Sequence, residues 1–439
     1  MGIRAAFHTL GCKTNHYETD AMRAQFARAG FDIVPFSEQA DVYLVNTCTV
    51  TGEADRKSRQ MLRRARQNNP DALIVAVGCQ VVLGDAAAWA DLTIGTEGKN
   101  QAIDRVLMVL KNQNPDLPSH SYESAAGKTY DEFGPVDQQS ETRAFVKIED
   151  GCNHFCSYCA IPLARGRVRS RGRGQIIEEA KALAAAGYRE IVLTGVHLCS
   201  YGLDLGLQGH AVMEMALELA GIDGIDRIRL GSLEPLSVTP AFIRLAAQNT
   251  KLCPHFHLSM QSGSDTVLAR MNRRYRTADY RKVVDGLRGS FADPGITTDV
   301  IVGFPGETNQ EFADTLAFSE EMAFSRMHVF RYSARKGTRA AVMPDPVVPD
   351  RIAKRSKRML ELAEKMSLTY NSRQVGRLHQ VLIEQQVDGY LTGYTAEYVP
   401  ARLPVQDGLI PRLGSIQLVC GLRAEADYLL CQCTKTDNS

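Results

Sequence analysis

Three cysteines crowd one short segment, EDGCNHFCSYCAIPLARGR, where Cys152, Cys156 and Cys159 stand in a C-x3-C-x2-C spacing. Three thiolates this close on a loop can hold three irons of a [4Fe–4S] cluster, leaving the fourth iron without a protein ligand and open to a substrate. Zinc is the alternative. Structural zinc takes four closed ligands, and His154 could complete a Cys3His set, although tetrahedral closure inside one tight loop is awkward. The spacing favours the cluster. Tyr158, directly before the third cysteine, adds an aromatic ring that on ordinary grounds packs against the loop.

Cys12, Cys48 and Cys79 look unrelated until the elements around them are drawn. Residues 3–10 (IRAAFHTL), 41–47 (DVYLVNT) and 72–78 (ALIVAVG) are short apolar runs that predict strands. Residues 16–29 and 52–68 between them carry helical periodicity, and Gly30 is placed to stop the first helix. Strands alternating with helices imply a parallel sheet. Each of the three cysteines then falls just past the carboxyl end of a strand, where open α/β sheets bind their ligands. Taken singly, each thiol reads as a small buried hydrophobe. Taken together, the three equivalent positions favour a second three-thiolate site.

The rest of the chain must position these two sets. At 439 residues it is too long for one hydrophobic core. Apolar residues make up 44% and charged residues 23%, with a net charge of +1, so any contact with nucleic acid needs local positive charge. No stretch approaches the roughly 20 apolar residues of a membrane span, and the first residues carry no long apolar run or small-residue cleavage site. These features lead us to expect a cytoplasmic protein with no membrane partner. Eleven cysteines in such a chain point to metal or chemistry rather than disulfides. Residues 111–142 are polar with scattered Pro, Gly and Ser, the composition of a linker. Beyond it, runs at 144–148, 190–194, 227–230, 255–259, 298–302 and 327–330 predict strands separated by helices, a partial or full (β/α) barrel. After residue 372 the period changes to two with Gly and Pro turns, which predicts a small antiparallel β domain. The expected domains are therefore 1–110, the linker 111–142, 143–371 and 372–439.

Arg165, Arg167, Arg169, Arg171 and Arg173 alternate with small residues directly after the cysteine loop. Such a run is usually a solvated surface, but its place beside the loop makes it the candidate for phosphate contact. Arg273, Arg274 and Arg276 form a weaker group of the same kind. Cys199, Cys253, Cys420, Cys431 and Cys433 lack matching ligand sets and read as structural.

The C-x3-C-x-aromatic-C segment resembles the signature of the radical S-adenosylmethionine superfamily. TLGCKTNHYETDAM, VNTCTVT and AVGCQ resemble the N-terminal domain of the methylthiotransferases within it. GCNHFCSYCAIPLARGRVRSR, HLSMQSGSDTVLARMNRRYR and DVIVGFPGETNQEF resemble their radical domain, and GYTAEYVPARL resembles, more weakly, the small RNA-binding TRAM domain. The resemblance implies two [4Fe–4S] clusters, a radical-generating one on Cys152, Cys156 and Cys159 and an auxiliary, sulfur-carrying one on Cys12, Cys48 and Cys79. It implies S-adenosylmethionine as cofactor and methyl donor, with Tyr158 against the adenine. It also implies Thr194 and Gly195 at the methionyl amine, Ser232 and Glu234 near the ribose, and Gln261 at the next strand end. Each of these strand-end residues also reads as a simple cap or turn.

The family includes two kinds of tRNA enzyme and one that modifies a ribosomal protein. Lys13 after the first cysteine, and FVKIEDGCN, resemble the branch acting on N6-threonylcarbamoyladenosine at tRNA position 37. The resemblance therefore implies methylthiolation at C2 of that base in the anticodon loop, with a flavodoxin or ferredoxin as electron donor. The hard chemistry belongs to the cofactors, so no catalytic triad or carboxylate pair is expected. The alternatives are the isopentenyladenosine branch, the ribosomal-protein branch, and a non-catalytic iron–sulfur or zinc RNA-binding protein, which would need four-ligand sites.

Overall fold

The computed structural model describes residues 2–111, 129–207, 210–405 and 412–434. The N-terminal unit is a five-stranded parallel sheet of β1 (Arg4–Thr9), β2 (Asp32–Val34), β3 (Val42–Thr47), β4 (Leu73–Gly78) and β5 (Leu92–Ile94), in the order β2-β1-β3-β4-β5. Every residue of β3 is buried, because helices cover both faces of the sheet. The helix α1 (Lys13–Arg28) follows β1 and α2 (Gly52–Asn68) follows β3. Thr51 caps α2, its hydroxyl accepting from the Ala54 N–H at 3.1 Å, and Glu53 and Asp55 complement the helix dipole in the first turn. The three predicted strands are present, and β2 and β5, three residues each, are additions too short to show a period.

The larger unit follows β6 (Ala144–Lys147) and a two-stranded ladder, β7 (Glu149–Asp150) with β8 (Arg169–Ser170), that pins the base of the cysteine loop. Its parallel strands are β6, β9 (Glu190–Thr194), β10 (Arg227–Leu230) continued by β11 (Ser232–Leu233), β12 (His255–Leu258), β13 (Gly295–Val302) and β14 (Arg326–Arg331). The ladders run β10-β9-β6 and β11-β12-β13-β14, joined by a bridge between Ile228 and Leu252. The barrel is partial, with β6 and β14 as its edges.

The N-terminal unit spans that opening. On the β6 side, Phe145 and Val192 share a core with Tyr17 and Met22 of α1. On the β14 side, Arg335 donates to Thr49 at 2.6 Å and to Asp55 at 2.5 Å. Of the expected linker, 112–128 lie outside the described residues. The segment 129–142 is not a free tether: Phe133 and Val136 are buried in the N-terminal core.

The helix Pro349–Ser372 leads to a closed barrel of β15 (Leu378–Val387), β16 (Tyr390–Thr395), β17 (Pro400–Pro404), β18 (Ile416–Ala424) and β19 (Leu429–Cys433). One pairing, β17 with β19, is parallel where the period-two pattern predicts antiparallel strands throughout. An odd number of strands cannot alternate direction all the way round a closed ring. Tyr398, at φ 71°, plugs the amino-terminal end of the large barrel, its ring 4.6 Å from that of His255. Arg229 donates to the Ala396 and Thr395 carbonyls at 2.9 and 3.1 Å. Among the described residues no helix is long and apolar enough to cross a membrane.

Candidate active site

The two cysteine sets meet at the carboxyl ends of the two parallel systems. Cys48 and Cys79 directly follow β3 and β4, and Cys12 lies three positions past the end of β1. The turns that bring them together need glycine. Gly11 has φ 103°, and a Cβ there would lie 2.9 Å from the Cys48 sulfur; Gly78 has φ 100°, and a Cβ there would lie 2.9 Å from the Thr47 carbonyl oxygen. Burial pushes the Cys48 thiol up to about 12, with Cys79 and Cys12 adding like-charge repulsion. Burial also raises Cys79, against the pull of the Arg165 and Lys99 charges beside it.

Cys152, Cys156 and Cys159 line one cleft with Tyr158, Ser232, Glu234 and Gln261. Burial pushes Cys152 up to about 11 and Cys159 up to about 12, and each also feels Cys156. Arg273 donates to the Cys156 sulfur at 3.2 Å and to Glu234 at 2.7 Å. His154 stacks on His197 with ring centres 4.1 Å apart. His154, His197 and Glu234 place their donor atoms within 4.8 Å of one another, but the shortest contact of Glu234 is to Arg273.

Among the described residues, neither cysteine trio gathers its three sulfurs within 4.8 Å of one another. Tetrahedral zinc, with bonds near 2.3 Å, would need them about 3.8 Å apart. Thiols that sense one another yet stand wider fit a cluster, which offers each cysteine its own iron.

The arginine run serves another purpose than expected. Arg165, Arg169 and Arg171 are buried. Arg165 donates to Glu18 at 2.8 Å, to Asp150 at 2.9 Å and to Asn15 at 2.7 Å. Lys147 joins Glu18 at 2.7 Å and Asp150 at 2.8 Å, and Lys99 joins Glu18 at 2.5 Å. Arg171 pairs with Glu132 at 2.5 Å and with Glu179. Period two puts Arg169 and Arg171 on one face of the strand, and here that face turns inward. Only Arg167, its guanidinium 5.0 Å from the centre of the Phe155 ring, and Arg173, paired with Glu218 at 2.7 Å, are exposed. Arg274 and Arg276 are exposed as well.

Of the strand-end residues, Tyr158, Ser232, Glu234 and Gln261 face the cleft. Thr194 does not: it is buried in the ladder, its carbonyl accepting from the Ile148 N–H at 2.9 Å. Gly195 packs on Glu149, whose Oε2 would stand 2.7 Å from an added Cβ, and Val196 and His197 supply this turn's part of the wall. Burial pushes the Glu149 carboxyl up to about 8, and it accepts the His197 N–H at 2.8 Å. Cys431 is fully buried in the C-terminal barrel core and Cys253 is buried beside Arg229; neither belongs to a ligand group among the described residues. The Cys199 sulfur accepts the Glu234 N–H at 3.4 Å.

A second cavity lies between the cysteine loops. Val50 and Thr51, from the Cys48 loop, face Tyr158 and Gln261 across it. Tyr158 and Gln261 also line the first cleft, so they form the partition between the two spaces.

A partial barrel carrying an open three-cysteine loop defines a radical S-adenosylmethionine enzyme. Residues 146–319 match the radical SAM superfamily, and residues 4–89 match the family described as "Uncharacterized protein family UPF0004". The threonylcarbamoyladenosine tRNA methylthiotransferase MtaB of Bacillus subtilis is 36% identical over 423 residues, covering 94% of this chain and 93% of that protein. The protein of the same name from Thermotoga maritima is 38% identical, covering 89% of each. A tRNA-2-methylthio-N(6)-dimethylallyladenosine synthase from Pelotomaculum thermopropionicum is 34% identical, covering 88% of each. The chain belongs to the methylthiotransferase family of radical S-adenosylmethionine enzymes. In fold it resembles the radical S-adenosylmethionine methyltransferase TsrM of Kitasatospora setae, with a TM-score of 0.56 at 14% identity over 78% of this chain and 77% of that one.

Proposed function

We propose that this enzyme methylthiolates C2 of N6-threonylcarbamoyladenosine at position 37 in the anticodon loop of tRNA. The observation that carries the reading is a cavity lined both by Val50 and Thr51, which follow Cys48, and by Tyr158, which precedes Cys159, so a substrate placed there lies between the loops of the two cysteine sets. The similarity to the two MtaB proteins along most of the chain supports the substrate.

Cys152, Cys156 and Cys159 would hold the radical-generating [4Fe–4S] cluster, and Cys12, Cys48 and Cys79 the auxiliary one. When bound, these clusters and S-adenosylmethionine supply the one-electron chemistry, the sulfur and the methyl group. The chain's own residues bind, orient and insulate. Arg273 neutralises charge beside Cys156 and fixes Glu234 for a cofactor hydroxyl. Tyr158 and Gln261 keep cofactor and base in separate compartments that touch. Lys99, Lys147 and Arg165 outnumber Glu18 and Asp150 in the buried network, and that surplus of positive charge suits an anionic cluster on Cys79. The base must leave its stack to enter. The domain limits 1–110, 143–371 and 372–439, a TRAM-like RNA grip by the last of these, a flavodoxin or ferredoxin as reductant and a cytoplasmic location complete the proposal.

The test is mass spectrometry of nucleosides from bulk tRNA of a strain deleted for the gene. Loss of 2-methylthio-N6-threonylcarbamoyladenosine, with a rise in its precursor, is expected. Persistence of that nucleoside while another methylthio nucleoside disappears would assign a different substrate.

A further inference from the structure

The cavity between the cysteine loops carries charge that an adenine ring does not call for. Two of its walls are apolar and open: Phe330 on β14 is 44% exposed and Val50 is 50% exposed, so a flat ring can lie between them. Its one lining carboxylate, Asp299, is paired with His257 at 3.2 Å. Arg331 lines the same cavity, is exposed, and has no carboxylate partner among the described residues. The Tyr332 hydroxyl, also on this wall, is buried without a hydrogen-bond partner.

An unpaired guanidinium and a tyrosine hydroxyl without a partner therefore belong to the wall of a slot that also offers two apolar side chains. That arrangement fits an aromatic base with an anionic substituent and fits poorly with an apolar one, for which a stranded cation is a cost.

Resting on the substrate reading above, we infer that Arg331 holds the free carboxylate of the threonylcarbamoyl group, and that this contact selects a carboxylated adenosine over one with a hydrocarbon substituent. Arg331 is a specificity residue and touches no reacting atom.

The test uses the reconstituted full-length enzyme and one anticodon stem-loop RNA in three forms: the threonylcarbamoyl acid, its neutral carboxamide, and the isopentenyl analogue. Binding is read by fluorescence anisotropy and turnover by kcat/KM. The wild type is expected to prefer acid over amide by about tenfold to a hundredfold in both readouts. In Arg331→Gln that preference is expected to collapse to within about twofold, with iron content unchanged. Equal use of acid and amide by the wild type, or a preference retained in Arg331→Gln, would overturn the inference while leaving the threonylcarbamoyl substrate in place. Turnover of the isopentenyl RNA without the acid would overturn the substrate reading and the inference together.

Discussion

Arg165 of the barrel unit and Glu18 of the N-terminal sheet unit form a buried ion pair at 2.8 Å, each side chain 1% exposed. Against the cost of burial, the charges of Arg165, Lys147 and Lys99 hold the Glu18 carboxyl well below the usual range. The pair lies between the two cysteine loops, with Asp150 two residues before Cys152 on one side and Arg165 bearing on Cys79 on the other.

Removing that arginine leaves two buried carboxylates under-compensated. Arg165→Ala is expected to cost about 3–5 kcal/mol and to lower the iron content at both sites. Thermal unfolding and iron analysis check it. A variant with normal stability and normal iron but weakened tRNA binding would return Arg165 to the surface role that its sequence context proposes.

The turn before Cys79 has no room for a side chain. Gly78→Ala places a Cβ 2.9 Å from the Thr47 carbonyl oxygen at φ 100°, a strain of about 1–3 kcal/mol. The expected result is a folded protein with about half its iron, the loss falling on the auxiliary site. Full iron content would show that the turn tolerates the methyl group.

Tyr398 fixes the C-terminal barrel to the large one through His255, Tyr394 and the guanidinium of Arg229, whose carbon lies 4.9 Å from its ring centre. Tyr398→Ala is expected to cost about 2 kcal/mol and to expose the junction near residue 373 to limited proteolysis, whereas Tyr398→Phe keeps most of the stacking. Equal protease resistance in the two variants would show that the phenyl ring is not the latch.

Acid should loosen one helix cap in a defined window. Glu311 is partly desolvated, which alone would raise its pKa, but hydrogen bonds from Arg270, Thr266 and the Thr308 N–H hold it down to about 2. A carboxyl depressed on folding contributes its full stability above its ordinary pKa and loses it as pH falls through the folded value. The stability gap between wild type and Glu311→Gln is therefore expected to be complete near neutral pH and to shrink between about pH 4.5 and pH 2. Denaturant titrations at pH 7 and pH 3 measure it, and a gap that does not shrink would remove Glu311 from the account.

That Cys152, Cys156 and Cys159 share one cleft and that Cys12, Cys48 and Cys79 follow strand ends was legible because spacing and strand ends are local signals. The arginine run was misjudged for a physical reason: period two identifies a face, and nothing in the run says whether that face meets water or a neighbouring unit. Glu18, Asp150 and Glu132, which draw Arg165, Arg169 and Arg171 inward, stand 15 to 147 positions away in the pairs they make. Thr194 sits on a strand end as expected, but the ladder consumes its backbone and buries it, so the turn presents Val196 and His197 instead. Arg273 gave a charge signal without a target, since its partners Cys156 and Glu234 come from other loops. The strands β2 and β5 are too short for any period to appear.

The most direct test of two separate three-cysteine sites is Mössbauer spectroscopy with iron and sulfide analysis on anaerobically reconstituted protein. It requires the wild type, a Cys152→Ala, Cys156→Ala, Cys159→Ala variant and a Cys12→Ala, Cys48→Ala, Cys79→Ala variant. Two [4Fe–4S] clusters in the wild type and one in each variant is the result expected here. A wild type with one cluster, or with zinc in place of either, would contradict it.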